Sequence, residues 1–436
     1  MYVTGRLAIA VALGAVPVVV LDAAGASAWH VLLAWLALCA AAVASDVAAA
    51  ADPRALRVMR DLPARVRLGE QTTAVLRLVN TGARRLHGRA RDGWQPTAGA
   101  PSDRIPIDVP AGESRAYRVP LLPRRRGELR TEFAVVRSAG PLGLAGRQRV
   151  LPAAGAIRVL PPFTSRRHLA SRVARLRELD GSTSVQVRGQ GTEFDSLREY
   201  VRGDDVRSID WRATARAATT MLRTWRPERD RHVVIVIDSG RTAAARVGDG
   251  TRLDAALEAA LLLAALAQRA GDHVHVVAFD RLVRARVTGV DGPALLPELV
   301  DALASVDAQL IDTDWDAALA QARRLHPRPS LLVLLTAQES VDASRGFLGA
   351  LPSVVRAGTV VLVGTATDST LADAAASRGS RDAFYRAAGA EAALAATARV
   401  RRAVERAGAV AVSDTPEELP PRIADRYLAL KRAGRL

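Results

Sequence analysis

A chain of 436 residues, 49% of them hydrophobic, is longer than one ordinary domain and apolar enough to fill two or three cores. Its one cysteine, Cys39, excludes an intramolecular disulfide and any multi-cysteine metal site. The formal net charge of +16 is concentrated in residues 52–160, with 21 arginines against 9 acidic residues, and in residues 161–190, with six against two. Those arginines are spread along apparent strands with few aromatics for base stacking. Nucleic acid is therefore not an expected partner, whereas a basic face beside an anionic membrane is.

Residues 7–21 form an uncharged apolar run, and after Asp22 and a small-residue turn a second run covers residues 28–45, with Trp29 and Trp35. A span takes ~20 largely apolar residues, so the second run fits one, and the first does if it extends through residues 22–27. A secretory signal peptide is the alternative for the first run, because AAGASA has the small residues of a cleavage site. Two buried helices of a soluble core are the alternative for both. Arg54, Arg57, Arg60, Arg65 and Arg67 crowd after the second run, while the loop between the runs carries no Lys or Arg. By the positive-inside rule both termini and the carboxyl-terminal bulk then face the cytoplasm.

Past the apolar runs the period changes to two. TAVLRLV puts Ala74, Leu76 and Leu78 on one face, and ELRTEFAVV puts Leu129, Thr131, Phe133 and Val135 on another. Short alternating strands separated by NTGARR and AGPLGLAG predict an antiparallel sandwich within residues 51–162.

The stretch GTEFDSLREYVRGDDVRSIDWRATAR, residues 191–216, interleaves six carboxylates with five arginines. Phe194, Leu197 and Val201 share a helical face and Gly203 is a helix stop, so EFDSLREYVR reads as a helix. Asp204 or Asp205 then caps a second short helix. Asp195, Arg198, Arg202, Arg207, Asp210 and Arg216 remain to pair across the junction, and TTMLRTWRP reads as extended. Residues 163–230 are thus expected to be a helical linker that carries this segment.

This pattern, together with RRRGELR, GPLGLAGR, IRVLP and the two apolar runs, resembles the bacterial family called domain of unknown function 58. The resemblance implies a multi-domain, membrane-anchored protein: a transmembrane helical hairpin over residues 1–50, an immunoglobulin- or fibronectin-like β-sandwich, and a von Willebrand factor A-like domain over residues 231–436. It also implies association with MoxR-type AAA+ ATPases and a bacterial inner-membrane location.

The carboxyl-terminal half supports an α/β domain by itself. HVVIVID, HVHVVAFD, SLLVLLTA and TVVLVGTA are continuous apolar strands that alternate with helices, which predicts a mainly parallel, Rossmann-like sheet covered on both faces. Ligands on such sheets sit at the carboxyl ends of the strands. The metal-ion-dependent adhesion site of A-like domains takes D-x-S-x-S, a threonine and an aspartate as oxygen ligands. By that resemblance Asp238, Thr242 and Thr313 match, but Gly240 stands for the first serine and Ala337 for the aspartate. Asp314 or Glu339 could substitute. The expectation is a degenerate site with weak Mg²⁺ or Mn²⁺ binding or none.

The functional expectation is a protein-interaction module that docks a cytoplasmic AAA+ partner through Glu193, Asp204, Asp205, Asp210, Trp211 and Arg216. The alternative is a metal-assisted hydrolase using the carboxylates near Glu193 and Asp204. Against an enzyme, the chain shows no Gly-rich phosphate loop, no G-x-S-x-G elbow and no cysteine outside the apolar run. The last helix, from about Pro421, is expected to end in an exposed basic tail.

Overall fold

The computed structural model describes residues 1–182, 193–201, 204–226, 231–377 and 379–436. The chain divides into two compact units, Met1–Pro162 and Phe163–Leu436.

The first unit opens with strand β1 (Tyr2–Val3), then helices α1 (Gly5–Leu13), α2 (Ala15–Ala23) and α3 (Ala28–Ala49). The break between α1 and α2 has two local causes. Pro17 supplies no N–H to the helical ladder, and the Trp35 ring packs where a Cβ on Gly14 would stand, 2.3 Å from its Cδ1. The indole Nε1–H of Trp35 donates to Ala10 O at 3.1 Å, tying the third helix to the first. Gly5–Ala23 and the helical stretch Ala28–Ala55 are each long and apolar enough to cross a membrane. Only 6% and 11% of their apolar windows are buried, so protein does not cover them as it covers the core helix of a soluble domain.

Two sheets follow. One comprises β2 (Leu56–Asp61), β4 (Thr72–Asn80) and β7 (Ser114–Leu121) in the order β2-β4-β7. The other is ordered β1-β9-β8-β5-β6, from β5 (Leu86–Asp92), β6 (Ile105–Val109), β8 (Gly127–Ala139) and β9 (Ala145–Leu160), with β3 (Arg65–Arg67) added parallel to β9. The inward residues of both sheets, among them Leu76, Leu78, Leu86, Ile107 and Ile157, form one core cluster. Leu129 and Thr131 are buried as their alternation predicts, but Phe133 and Val135 are not. The register of β8 against β9 shifts between Thr131 and Phe133. At this irregularity two residues of β8 oppose three of β9 and the inward phase of β8 changes, so Ala134 and Val136 enter the core instead.

In the second unit α4 (Leu169–Ser182) leads to β10 (Glu193–Glu199), α5 (Trp211–Ala217) and β11 (Met221–Arg226). The helix expected from EFDSLREYVR is therefore a strand, paired antiparallel with β11 from Glu193↔Arg226 to Glu199↔Met221. Its apolar spacing is compatible with a helix, but a partner strand some twenty residues on supplies a full hydrogen-bond ladder, and that pairing overrides the local period. Gly203, the expected stop, and Arg202 lie outside the described residues, as do residues 183–192.

The remaining elements are β12 (His232–Asp238), the two-residue strands β13 (Arg246–Val247) and β14 (Gly250–Thr251), α6 (Arg252–Arg269), β15 (His273–Phe279), β16 (Val283–Val287), α7 (Leu295–Ala304), α8 (Trp315–Leu325), β17 (Leu331–Leu335), α9 (Arg345–Arg356), β18 (Val360–Ala366), α10 (Thr370–Ala376), α11 (Arg381–Arg406), β19 (Val410–Asp414) and α12 (Leu419–Arg432). They build a six-stranded sheet, β16-β15-β12-β17-β18-β19, parallel throughout except for the edge strand β16. One face packs on α6, which is buried on every side from Ala255 to Ala267 and starts with a capping box between Thr251 and Asp254. On the other face α8 and α9 seal the core, with Trp315 edge-on to Phe347 at 4.7 Å.

At the basic end of the last helix Arg432 and Arg435 are exposed as expected, but Lys431 is not. The Lys431 ammonium donates to Asp272 Oδ1 at 2.9 Å, Ala270 O at 3.2 Å and the Tyr427 hydroxyl at 3.3 Å. Their side chains are 8% and 2% exposed, so the only lysine in the chain is a buried tie between α12 and the turn before β15.

Candidate functional site

The sheet order reverses direction at β12, whose chain connections lead to β15 on one side and whose other neighbour is β17. Crevices at such switch points, beyond the carboxyl ends of the strands, are where ligands bind on open α/β sheets. A cleft of about 160 Å³ opens there, with Asp238, Arg241, Thr242, Thr313 and Glu339 in its lining.

Asp238 ends β12 and is buried. Its Oδ1 accepts the Gly240 N–H at 2.8 Å and the Thr313 hydroxyl at 2.5 Å, and its Oδ2 accepts the Thr336 hydroxyl at 2.6 Å. Burial pushes this carboxyl above the usual range, against the pull of Thr313, Thr336, the Gly240 N–H and Thr242. The three residues expected at a cation site, Asp238, Thr242 and Thr313, thus do come together. Thr336 was not foreseen; the available signal was a hydroxyl closing the apolar run LLVLL.

Gly240 has a steric reason. A Cβ there would stand 2.2 Å from Thr313 Oγ1 and 2.9 Å from Ile311 O, so a serine cannot enter unless Thr313 moves. The proposed substitutes for the missing ligands are engaged elsewhere. Asp314 caps α8 by accepting the Ala317 N–H at 3.0 Å. Glu339 lies 3.8 Å from Arg241 and 3.9 Å from Arg252. Asp312 accepts from Arg241 Nε at 3.2 Å. Among the described residues no group of three or more His, Cys, Asp or Glu side chains is arranged to hold a metal ion. Around Asp238 the hydroxyls of Thr313 and Thr336 donate into the carboxylate, and the Thr242 hydroxyl also acts on it.

Beside the cleft, Asp280 holds the next loop. Burial would push its carboxyl up, but Arg284 at 2.6 Å, the N–H groups of Leu282 and Arg281, and the Ser239 hydroxyl together keep it below the usual range. At the opposite, amino-terminal edge of the sheet four imidazoles stack. His232 lies 3.8 Å from His326 and 5.1 Å from His273 between ring centroids. His232 Nδ1 is 2.9 Å from His275 Nε2, and His275 Nδ1 is 2.7 Å from the Thr288 hydroxyl. Burial, then the neighbouring His232, His326 and His273, lower the pKa of His275.

In the charged segment 191–216 three of the six acids, Asp204, Asp205 and Asp210, accept from the segment's own backbone. Asp204 accepts from Arg198 Nη2 at 2.8 Å and from the Val201 N–H at 3.0 Å. Asp205 caps a single helical turn, Val206–Ser208, through the Arg207 N–H at 3.0 Å. Asp210 caps α5 through the N–H groups of Arg212 and Ala213 and also accepts from Arg223 Nε at 2.7 Å. The Ala213 N–H and Arg223 hold its carboxyl below the usual range. Glu193 opens β10, and its side chain lies outside the described residues. Arg216 and Trp211 are exposed. Within this short stretch Leu197, Val201, Val206 and Trp211 are exposed large apolar residues, the last three at 59%, 61% and 72% exposure.

No curated protein matches the chain. Solved structures give partial likenesses. The ASH/PapD-like domain of human CEP192 is 13% identical over 25% of this chain and 89% of that one, with a TM-score of 0.18. Salmonella alpha-2-macroglobulin reacted with methylamine is 17% identical over 24% of this chain and 7% of that one, with a TM-score of 0.19. The FixG-related protein from Vibrio parahaemolyticus is 11% identical over 24% and 94%, with a TM-score of 0.18. Scores this low assign neither fold nor function to this chain. From within β10 to within β18, residues 196–363, the chain matches the family model described as DUF58, a protein of unknown function.

Proposed function

We propose that this protein is a membrane-anchored interaction module whose second unit, a von Willebrand factor A-like domain with its signature hairpin, docks a cytoplasmic ATPase of the MoxR AAA+ class. The observation that carries this reading is the contrast within residues 193–216. Asp204, Asp205 and Asp210 there are taken up by caps and ion pairs, while Trp211, Val206 and Val201 stay in solvent. Exposed aromatic and branched side chains on a segment braced from within are what a protein-binding hot spot needs.

The A-like reading draws on the sheet order, a doubly wound pattern with an antiparallel edge, and on the oxygen-rich cleft at its switch point. Anchoring draws on the two apolar helical segments with little protein cover. Orientation toward the cytoplasm draws on the arginines that follow the second segment. The commitment of Asp204 and Asp210 to Arg198, Arg223 and backbone N–H groups works against a metal-assisted hydrolase built on the signature.

Affinity purification of the detergent-extracted full chain, with and without ATP and Mg²⁺, followed by mass spectrometry, tests the proposal. Recovery of a nucleotide-sensitive AAA+ ATPase that is lost with V206E/W211E is the expected result. An ATPase retained by V206E/W211E, or none with the wild type, would overturn docking at this surface.

A further inference from the structure

The arginine excess of the first unit has a spatial focus. In β5 the buried residues are Leu86, Gly88, Ala90 and Asp92, so Arg89 and Arg91 point away from the core. Arg89 pairs in register with Arg137 of β8. Ala90 pairs with Ile105 of β6, which sets Arg104, the residue before that strand, beside Arg91. Arg137 alternates with the buried Val136 and Ser138 and faces the same way. Four guanidiniums therefore share the outer face of the larger sheet.

No carboxylate of the described residues ion-pairs with Arg89, Arg91 or Arg104. Arg137 donates to the neutral Gln148 at 2.5 Å and stacks over the Tyr2 ring at 4.7 Å. The Nε of Arg104 is buried without a hydrogen-bond partner. Its pKa is lowered first by burial and then by Arg137, Arg91 and Arg89, and only the Tyr2 phenol opposes them. Like charges held this close call for an external anion.

The patch also lies at the foot of the apolar helices. Tyr2 is three residues before α1, and Thr4, directly before it, donates its hydroxyl to Gly143 O at 2.7 Å. Arg137 sits two residues from the end of β8, where the loop to β9 receives Asp46 of α3. On this end Met1, Val3 and Leu142 are exposed apolar residues.

We propose that the face formed by Arg89, Arg91, Arg104 and Arg137 binds the phosphate headgroups of anionic lipids in the bilayer that accepts α1, α2 and α3. The proposal rests on the membrane reading above. Planar guanidiniums match phosphate oxygens in paired hydrogen bonds, and the Tyr2 ring holds Arg137 in place for them.

The test uses the full chain in vesicles of phosphatidylcholine with and without phosphatidylglycerol. After detergent extraction, lipids retained by the protein are quantified by mass spectrometry. Wild type is expected to enrich phosphatidylglycerol, with R89Q/R91Q/R104Q losing at least about fivefold of that enrichment. The equally charged-depleted control R77Q/R115Q/R118Q, on the smaller sheet, is expected to keep it. Equal retention by the two triple variants would overturn the proposal while leaving the anchor intact. Extraction of wild type from neutral vesicles by alkaline carbonate would instead overturn the anchor, and the headgroup site with it. A photoreactive phosphatidylglycerol headgroup needs no variant: it is expected to label peptides of β5 and β6, and labelling confined elsewhere would reject the site.

Discussion

Asp46 Oδ2 lies 2.9 Å from the backbone nitrogen of Ala145, ninety-nine positions along the chain. The same fully buried carboxylate accepts the N–H groups of Leu142 and Leu144, each at 2.8 Å. An acid near the end of an apolar helix thus organises the GPLGLAG turn of the sandwich, and Arg84 and Arg147 donate to the last carbonyls of that helix. Asp46→Ala would leave the buried Ala145 N–H and the half-buried N–H groups of Leu142 and Leu144 without this partner, and the buried one alone costs about 1–3 kcal/mol, so a loss of at least ~1 kcal/mol is expected in thermal unfolding of the full chain. A Cβ on Gly140 would stand 2.1 Å from Asp46 Oδ1, so Gly140→Ala should behave alike. Unchanged melting of both variants would show the clamp to be dispensable.

At the strand-end cleft, Thr336→Val keeps the shape and removes the hydroxyl that donates to Asp238 Oδ2. The expected cost is about 1–3 kcal/mol in denaturant unfolding, because a buried acceptor loses its partner. In calorimetry the wild-type chain is expected to give no submillimolar binding of Mg²⁺ or Mn²⁺. Micromolar binding would mean that Thr313 and Thr336 turn their hydroxyls to a cation after all.

The imidazole stack predicts an acid-sensitive domain. The folded pKa of His275 is depressed below its unfolded value, ordinarily ~6.5. Above that unfolded value both states are neutral and the stability is complete. As pH falls through it the unfolded chain takes up the proton first, so stability declines toward the lower folded pKa. Urea midpoints measured from pH 7.5 to about 5 should fall for wild type, and His275→Gln should flatten the decline. A decline of equal slope in the variant would assign it to other groups.

Asp210 and Trp211 are sequence neighbours with opposite expected phenotypes. Asp210→Ala removes the cap of α5 and the Arg223 contact, and should lower the melting temperature by a few degrees. Trp211→Ala buries nothing less, since the ring is already in solvent, and should leave the melting curve unchanged while weakening partner recovery. A melting loss for Trp211→Ala would place the ring in the fold rather than on a binding surface.

Removing the Lys431 ammonium isolates a buried acid. Lys431→Met should destabilise the second unit by about 3–5 kcal/mol, because Asp272 keeps only the Tyr427 hydroxyl and the more distant Arg231, 3.8 Å away. Asp272→Asn combined with Lys431→Met should recover part of the loss. If the single and double variants unfold alike, the pair contributes little.

What the sequence by itself determined are features with a strong local signature. The apolar runs mark the amino-terminal helices. Continuous strands such as HVVIVID and SLLVLLTA mark β12 and β17 of the central sheet, and alternation buries Ala74, Leu76 and Leu78 in β4. Each of these needs only its own residues, because burial of an apolar stripe is written in the period. Tertiary structure decided the rest. Residues 193–199 share a helix-like spacing but form a strand because β11 offers a ladder. The register shift after Thr131 exchanges Phe133 for Ala134 in the core, and no period announces such a break in the pairing. Asp46 and Ala145, Thr336 and Asp238, and His326 and His232 meet across 99, 98 and 94 positions. Such pairs are fixed by how strands and helices pack, and a polar side chain carries no local mark of the distant group that satisfies it.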